Sequence, residues 1–201
     1  MTLIVILALI LFFVVAFYVP KSKRKKPDSN EVSLLGVYNT FYDITVSSPQ
    51  ITKCKNYAPV TAAVLLVTID VVLLANLPDD TREKHTSEVI KNISEKFTEE
   101  ECTILCRCLN VFGRTVADQI TPRGDWRTNK EEPSAWTQKL AMVYGDLLKF
   151  PDYIFNYENA PISLMSLSDC TEFAIHFEPF ASETLALLAN MTKKWLNRTK
   201  D

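Results

Sequence analysis

The stretch Val60–Leu77, VTAAVLLVTIDVVLLANL, decides the fold because two different structures fit it. As a helix with a rise of about 1.5 Å per residue it is roughly 27 Å long, close to the hydrocarbon thickness of about 30 Å in a bilayer. Its Val, Leu and Ile side chains favour membrane insertion by roughly 3 to 7 kcal/mol, and Asp70 opposes insertion by about 2.5 to 3.5 kcal/mol. Because Thr61, Thr68 and Asn76 add to the cost, the free energy of insertion is close to zero.

The second structure is a core helix that other helices surround, since such a helix is also apolar on every side. Amphipathic helices predicted further along the chain need an apolar partner of this kind. We therefore favour a core helix over residues 60–77 and keep a second transmembrane span as the alternative. In a core, Asp70 requires an internal hydrogen bond or a proton, whereas in lipid it is a candidate for transport or subunit assembly.

The amino terminus predicts an uncleaved membrane anchor. Residues 3–19 carry no charged side chain and favour the membrane by roughly 4 to 8 kcal/mol. No basic segment precedes them and no small-residue cleavage site follows, so a removable signal peptide is not indicated. Under the positive-inside rule the basic run after the anchor stays cytoplasmic and the amino terminus faces outside. That membrane-proximal run contains Lys21, Lys23, Arg24, Lys25 and Lys26.

These features predict three segments: a transmembrane signal-anchor helix over residues 1–20, a basic juxtamembrane linker over 21–31 and an all-α domain over 32–201. The anchor makes membrane lipid a partner of the chain. The expected protein is single-pass, with a helical bundle of about six helices in the cytoplasm.

The charge distribution argues against nucleic acid as a partner. Five of the 22 basic side chains lie in the juxtamembrane run, which leaves 17 against 24 acidic ones and a charge of −7 on the rest of the chain. An acidic domain without a basic stripe is poorly suited to bind phosphates.

Helical periodicity predicts the remaining elements. A first helix places Leu34, Leu35, Tyr38, Phe41, Tyr42 and Thr45 on one face. A helix capped by Asp79 or Asp80 runs to about Phe97 and buries Val89, Ile90, Ile93 and Phe97. Thr98 and Glu101 form a capping box for the next helix, whose apolar face is Leu105, Leu109 or Cys108, Phe112, Val116 and Ile120.

Two further helices are expected near the carboxyl terminus. A helix from Pro133 buries Trp136, Leu140, Val143, Tyr144, Leu147 and Leu148, and Phe150-Pro151 ends it. A short helix near Ser168 then precedes a longer one from about Pro179, with Phe180, Leu185, Leu188, Met191 and Trp195 inward.

The cysteine and histidine pattern does not favour a metal site. Cys102, Cys106 and Cys108 lie in one helix without a second ligand pair, and the odd total of five cysteines fits a reducing compartment. His85, among charged residues, is expected to face solvent. No phosphate-binding, dinucleotide or hydrolase motif is present, so no cofactor is predicted.

The first functional hypothesis is an interaction or regulatory domain held at the inner face of a membrane. Its candidate contact residues are Trp126, in the charged loop over 121–134 that also contains Arg123-Gly124-Asp125, and the aromatic group Tyr153, Phe155 and Tyr157. The second hypothesis is the two-span protein with Asp70 in transport or assembly. An enzyme ranks third, as a thiol site around Cys170, Glu172 and His176.

Three N-glycosylation sequons occur, at Asn92, Asn190 and Asn197. They matter only if the domain enters a secretory lumen, so a cytoplasmic domain predicts that they are coincidental.

Overall fold

The computed structural model describes residues 33–117, 133–149 and 172–199. The predicted anchor and basic linker lie outside these ranges. The described chain contains helices and no strands, which agrees with the predicted all-α class. In chain order the helices are α1 (Leu34–Val46), α2 (Tyr57–Leu74), α3 (Asp79–Ser94), α4 (Glu99–Thr115), α5 (Pro133–Lys149) and α6 (Glu172–Thr199).

Helix α2 is the centre of the bundle and packs against each of the other five helices. Of its 18 residues, 13 are buried, and they occupy nearly the whole circumference. The helix begins and ends three residues earlier than the predicted stretch Val60–Leu77, because Pro59 fits in its first turn and Pro78 instead begins the next element. Within the described ranges, α2 is also the one helix long and apolar enough to cross a membrane.

The two buried threonines of α2 are hydrogen-bonded within the protein. Thr61 Oγ1 and the Tyr144 hydroxyl lie 2.6 Å apart in a buried hydrogen bond that joins α2 to α5. Burial raises the pKa of Tyr144 above its usual range, and the bond with Thr61 offsets part of that shift. Thr68 donates instead to the Val64 carbonyl of its own helix, at 2.8 Å. These bonds satisfy groups that would be costly to bury alone.

Helices α1 and α4 follow their sequence signals closely. Ser33 caps α1 by accepting the Gly36 amide, and the predicted face of α1 is buried or partly buried. At α4, Thr98 and Glu101 form the predicted capping box in both directions. Several buried α4 residues were not among those predicted, namely Ile104, Val111 and Thr115, because its apolar face is wider than one narrow stripe.

The predictions for α3 need correction at both ends. The residue at its N-cap is Pro78, and Asp79 and Asp80 lie in the first turn, where carboxylates suit the helix dipole without capping it. The helix ends at Ser94, so Phe97 lies beyond it and packs against Tyr42 of α1. Val89 and Ile93 are buried as expected, but Ile90 is 39% exposed, because α3 turns only two of the predicted apolar positions toward α2.

Helices α5 and α6 pack along their lengths. The six residues predicted to form the buried face of α5 are all buried, and this helix ends at Lys149, immediately before Phe150-Pro151. The predicted helix start at Pro179 was wrong, since α6 runs from Glu172 through that proline. Apolar contacts on both sides of Pro179 explain this, because buried Phe177 packs on Tyr144 of α5 with ring centroids 5.1 Å apart and Ala181 is also buried.

Candidate functional site: a groove between α3 and α4

The candidate site is the part of α2 that the other described helices cover incompletely. In its carboxyl-terminal half, Val67, Asp70 and Leu74 are half-buried while the residues around them are buried. Their spacing of three and four residues places them on one narrow stripe. Asp70 of this stripe pairs with Arg82 of α3, and α3 and α4 both pack on α2 but make few contacts with each other. We infer that the stripe lies between these two helices. We call the resulting depression the α3–α4 groove, and the three residues form its floor.

Helix α3 supplies one wall of the groove. On one flank of α3, His85 packs edge-on against Trp195 of α6 with ring centroids 5.2 Å apart. His85 was expected to face solvent freely, and the structure instead has it half-buried by this contact. We infer that the opposite flank of α3 faces away from α6 and borders the groove. At spacings of four, three and four residues this flank carries Asp79, Glu83, Thr86 and Ile90.

Helix α4 supplies the other wall. The Cys102 thiol lies 3.8 Å from the Ser94 carbonyl oxygen and 3.9 Å from that of Phe97, so the two walls meet at the turn between them. The same flank of α4 carries Cys102, Cys106, Leu109 and Gly113, again at spacings of four, three and four residues. Cys106 and Gly113 are exposed, and a Cβ added at Gly113 would meet no atom within 4 Å. The α4 wall therefore carries mainly small residues, and no described atom fills the space above Gly113.

The floor contains one ion pair. Asp70 Oδ1 lies 3.7 Å from Arg82 Nε, and the two side chains are 38% and 21% exposed respectively. Burial raises the pKa of the Asp70 carboxyl above its ordinary value, and Arg82 lowers it in part. Arg82 Nε is buried and makes no hydrogen bond. A core Asp70 was predicted to have an internal hydrogen bond or a proton. The structure instead leaves the carboxyl partly exposed opposite Arg82, at a distance too long for a hydrogen bond.

The groove is polar at one end and apolar at the other. Because α3 begins just after α2 ends and runs back along it, Asp79 and Glu83 lie toward the end of α2 that holds Asp70 and Leu74. Val67 lies toward the other end, with Ile90 and Leu109 on the walls. Among the described residues, the acidic end holds three carboxylates, one guanidinium and half-buried Leu74, and at the other end Ile90 is exposed beside half-buried Val67 and Leu109.

The cysteines of α4 differ in their surroundings. Cys108 faces the core, where burial raises the pKa of its thiol to about 12. Cys106 is exposed and Cys102 half-buried. Within the described ranges, no three His, Cys, Asp or Glu side chains are grouped as metal ligands.

Several predicted site residues lie outside the described ranges. These are the basic run over 21–26, the interaction candidates Trp126, Tyr153, Phe155 and Tyr157, and Cys170 of the candidate thiol site. Glu172 and His176 lie in the first turns of α6. Among the sequons, Asn190 and Asn197 are exposed on α6, whereas Asn92 is half-buried on α3 with a buried side-chain oxygen.

Comparisons of this chain with protein-family models, with curated proteins and with solved structures found no match. The groove is therefore interpreted from its own chemistry.

Proposed function

We propose that the chain is a membrane-tethered interaction domain whose helical bundle faces the cytoplasm and binds a protein partner in the α3–α4 groove. The observation that carries this proposal is the open stripe on α2. A core helix is normally buried along its whole length, yet α2 has two half-buried apolar side chains and a partly exposed ion pair on one stripe. Exposed Ile90 beside them extends the apolar surface.

The support for a membrane tether comes from the amino-terminal sequence. The uncharged segment over residues 3–19 supplies the anchor, and the basic run after it sets the orientation. A domain held at a membrane surface meets partners at that surface at raised effective concentration, so modest affinity is sufficient for regulation.

Site-specific photo-crosslinking in intact membranes tests the proposal. A benzophenone side chain is placed at Ile90, on the groove wall, and in a matched variant at Lys91, which is exposed on the outer side of α3. We expect a crosslinked protein from position 90 and none from position 91. Equal products from the two positions, or none from either, would refute the groove as the binding surface.

A substitution adds a second criterion. Ile90→Asp alters an exposed side chain, so the fold should be preserved, as circular dichroism can verify. The charge should prevent crosslinking from a benzophenone at Cys106 on the opposite wall, because a carboxylate would be buried without a partner in the complex.

A further inference from the structure

The carboxyl-terminal half of α6 is basic, although the chain after the juxtamembrane run is acidic as a whole. Beyond Glu183 the helix carries three cations and no carboxylate, and the cations are Lys193, Lys194 and Arg198. All three are exposed, and none forms an ion pair among the described residues. Only Arg198 lies in the last turn, so interaction with the helix dipole does not account for the two lysines.

Exposed hydrocarbon lies beside these cations. Leu187 is 40% exposed, and it precedes Lys194 by seven residues and Arg198 by eleven. At these spacings the three side chains fall within about 40° of one another around the helix axis. Lys193 is about 100° from Lys194 and lies at the edge of the same exposed surface. We call these four residues the α6 face, which combines an exposed leucine with cations that no described carboxylate neutralises.

An anionic bilayer surface has the chemistry that matches the α6 face. Each basic residue near such a surface strengthens binding about fivefold, and an apolar side chain beside it can enter the interface. In the sequence, four basic residues and no acidic one lie between positions 193 and 200. A cluster of four or more on an amphipathic helix is typical of binding to acidic lipid.

The tether makes this partner available, so the inference rests on that part of the proposed function. The anchor over residues 3–19 holds the chain at a bilayer, and lipid headgroups are therefore present at high effective concentration. We propose that the α6 face, formed by Leu187, Lys193, Lys194 and Arg198, binds the anionic headgroups of the membrane in which the chain is anchored. This contact restricts how the bundle turns on its tether.

Quenching of a fluorescent amino acid at position 187 tests the inference. The full chain is placed in nanodiscs that contain a lipid with a nitroxide headgroup as quencher, in phosphatidylcholine alone or with about one third phosphatidylserine. The same fluorophore at position 44 is the matched control, because Ile44 is similarly exposed, at 44%, but α1 carries no basic side chain. We expect phosphatidylserine to increase quenching at position 187 at least about threefold, an effect that higher salt reduces, and to leave position 44 unchanged.

Two triple variants with the same change in charge locate the effect. Lys193→Gln with Lys194→Gln and Arg198→Gln should reduce quenching at position 187 to its value on uncharged lipid. The control replaces three exposed lysines elsewhere by glutamine and should preserve the effect of phosphatidylserine; these are Lys53, Lys84 and Lys91. Circular dichroism verifies the fold of both. Equal quenching at position 187 on the two lipid mixtures, or the same loss in both triple variants, would overturn the inference.

The two proposals fail in different ways. If position 90 crosslinks to a protein but phosphatidylserine does not increase quenching at position 187, the groove stands and the lipid inference is wrong. The reverse result leaves the α6 face as a lipid contact and removes the groove. A benzophenone at position 187 that crosslinks to a protein in intact membranes would assign the α6 face to that protein and also overturn the lipid inference. A chain that nanodiscs do not retain would remove both proposals, because both require the tether.

Discussion

The hydrogen bond between Thr61 and Tyr144 provides a quantitative test of the core position of α2. The two hydroxyls are 83 residues apart in sequence and 2.6 Å apart in space, and both residues are fully or almost fully buried. Tyr144→Phe removes one hydroxyl, and the remaining Thr61 hydroxyl can turn toward a carbonyl of its own helix. We therefore expect a loss of about 1 kcal/mol in the free energy of unfolding.

Thr61→Val is expected to be more costly. It leaves the buried Tyr144 hydroxyl without a partner, at a cost of about 1 to 3 kcal/mol. In the double variant neither hydroxyl remains to be satisfied, so its loss should be smaller than the sum of the single losses by about 1 kcal/mol or more. For a domain of this size, each kcal/mol corresponds to about 2 to 4 °C in Tm.

The assay is thermal unfolding of the full chain in a mild detergent, followed by circular dichroism. Thr68→Val is the matched control on the same helix, because Thr68 is equally buried but bonds only to the Val64 carbonyl. It should change Tm little and should show no coupling to Tyr144→Phe. Strictly additive effects of Thr61→Val and Tyr144→Phe would show that α2 and α5 are not packed together, and the central position of α2 would then be wrong.

Three further predictions follow from burial and exposure. Burial raises the pKa of Asp70, so its ionised form opposes folding and the native chain loses stability as pH rises through that pKa. The Tm of Asp70→Asn minus that of the native chain should therefore increase from pH 4 to pH 7. A difference that decreases over this range would contradict the prediction. Gly145→Val should destabilise the fold by about 1 to 3 kcal/mol, because a Cβ at this position meets the Phe177 ring at 3.2 Å. Gly113→Ala should instead stabilise the fold by up to about 1 kcal/mol in the same unfolding assay, because a Cβ there meets no atom within 4 Å. If the domain is cytoplasmic, exposed Asn190 and Asn197 should carry no glycan, and a glycosidase should leave the electrophoretic mobility unchanged, while a sequon in an added amino-terminal extension should be modified.

Local signals predicted the helices well where one face was apolar and the ends were marked. The capping box at Thr98 and Glu101 determined the start of α4, and the six apolar positions of α5 were all correct. Both kinds of signal depend on residues within a few turns of each other. They need no knowledge of what packs against the helix, which is why single-sequence reasoning could find them.

The errors arose where neighbouring helices decide the outcome. Pro179 has a strong local preference for a helix start, but the packing of Phe177 on Tyr144 maintains the helix across it. Ile90 fitted the apolar period of α3, yet no described helix packs closely enough on that flank to bury it. His85 looked like a surface residue among charges, and its partner Trp195 lies 110 positions later in the chain. Sequence periodicity contains none of these relations.

The groove could have been located in part from sequence. An apolar helix has no preferred side by its composition, so Val67 and Leu74 cannot be told from buried neighbours such as Leu66 or Leu73. Asp70 is different, because a carboxylate is rarely buried without a cation and therefore marks the side that reaches the surface. The residues three before and four after it share its side. The walls could not be inferred in this way, since they depend on how α3 and α4 are placed beside α2.

The polar residues of α2 also explain why a bundle core can resemble a membrane span. Both surroundings are apolar on every side and favour the same Val, Leu and Ile residues, so length and composition do not separate them. The distinction lies in the partners of the polar groups. Thr61 bonds to a tyrosine on α5 and Asp70 pairs with Arg82 on α3, and both partners belong to amphipathic helices whose other faces carry charge. In the described ranges α2 is thus enclosed by helices that are apolar toward it and charged on their outer side, which is the arrangement of a bundle core.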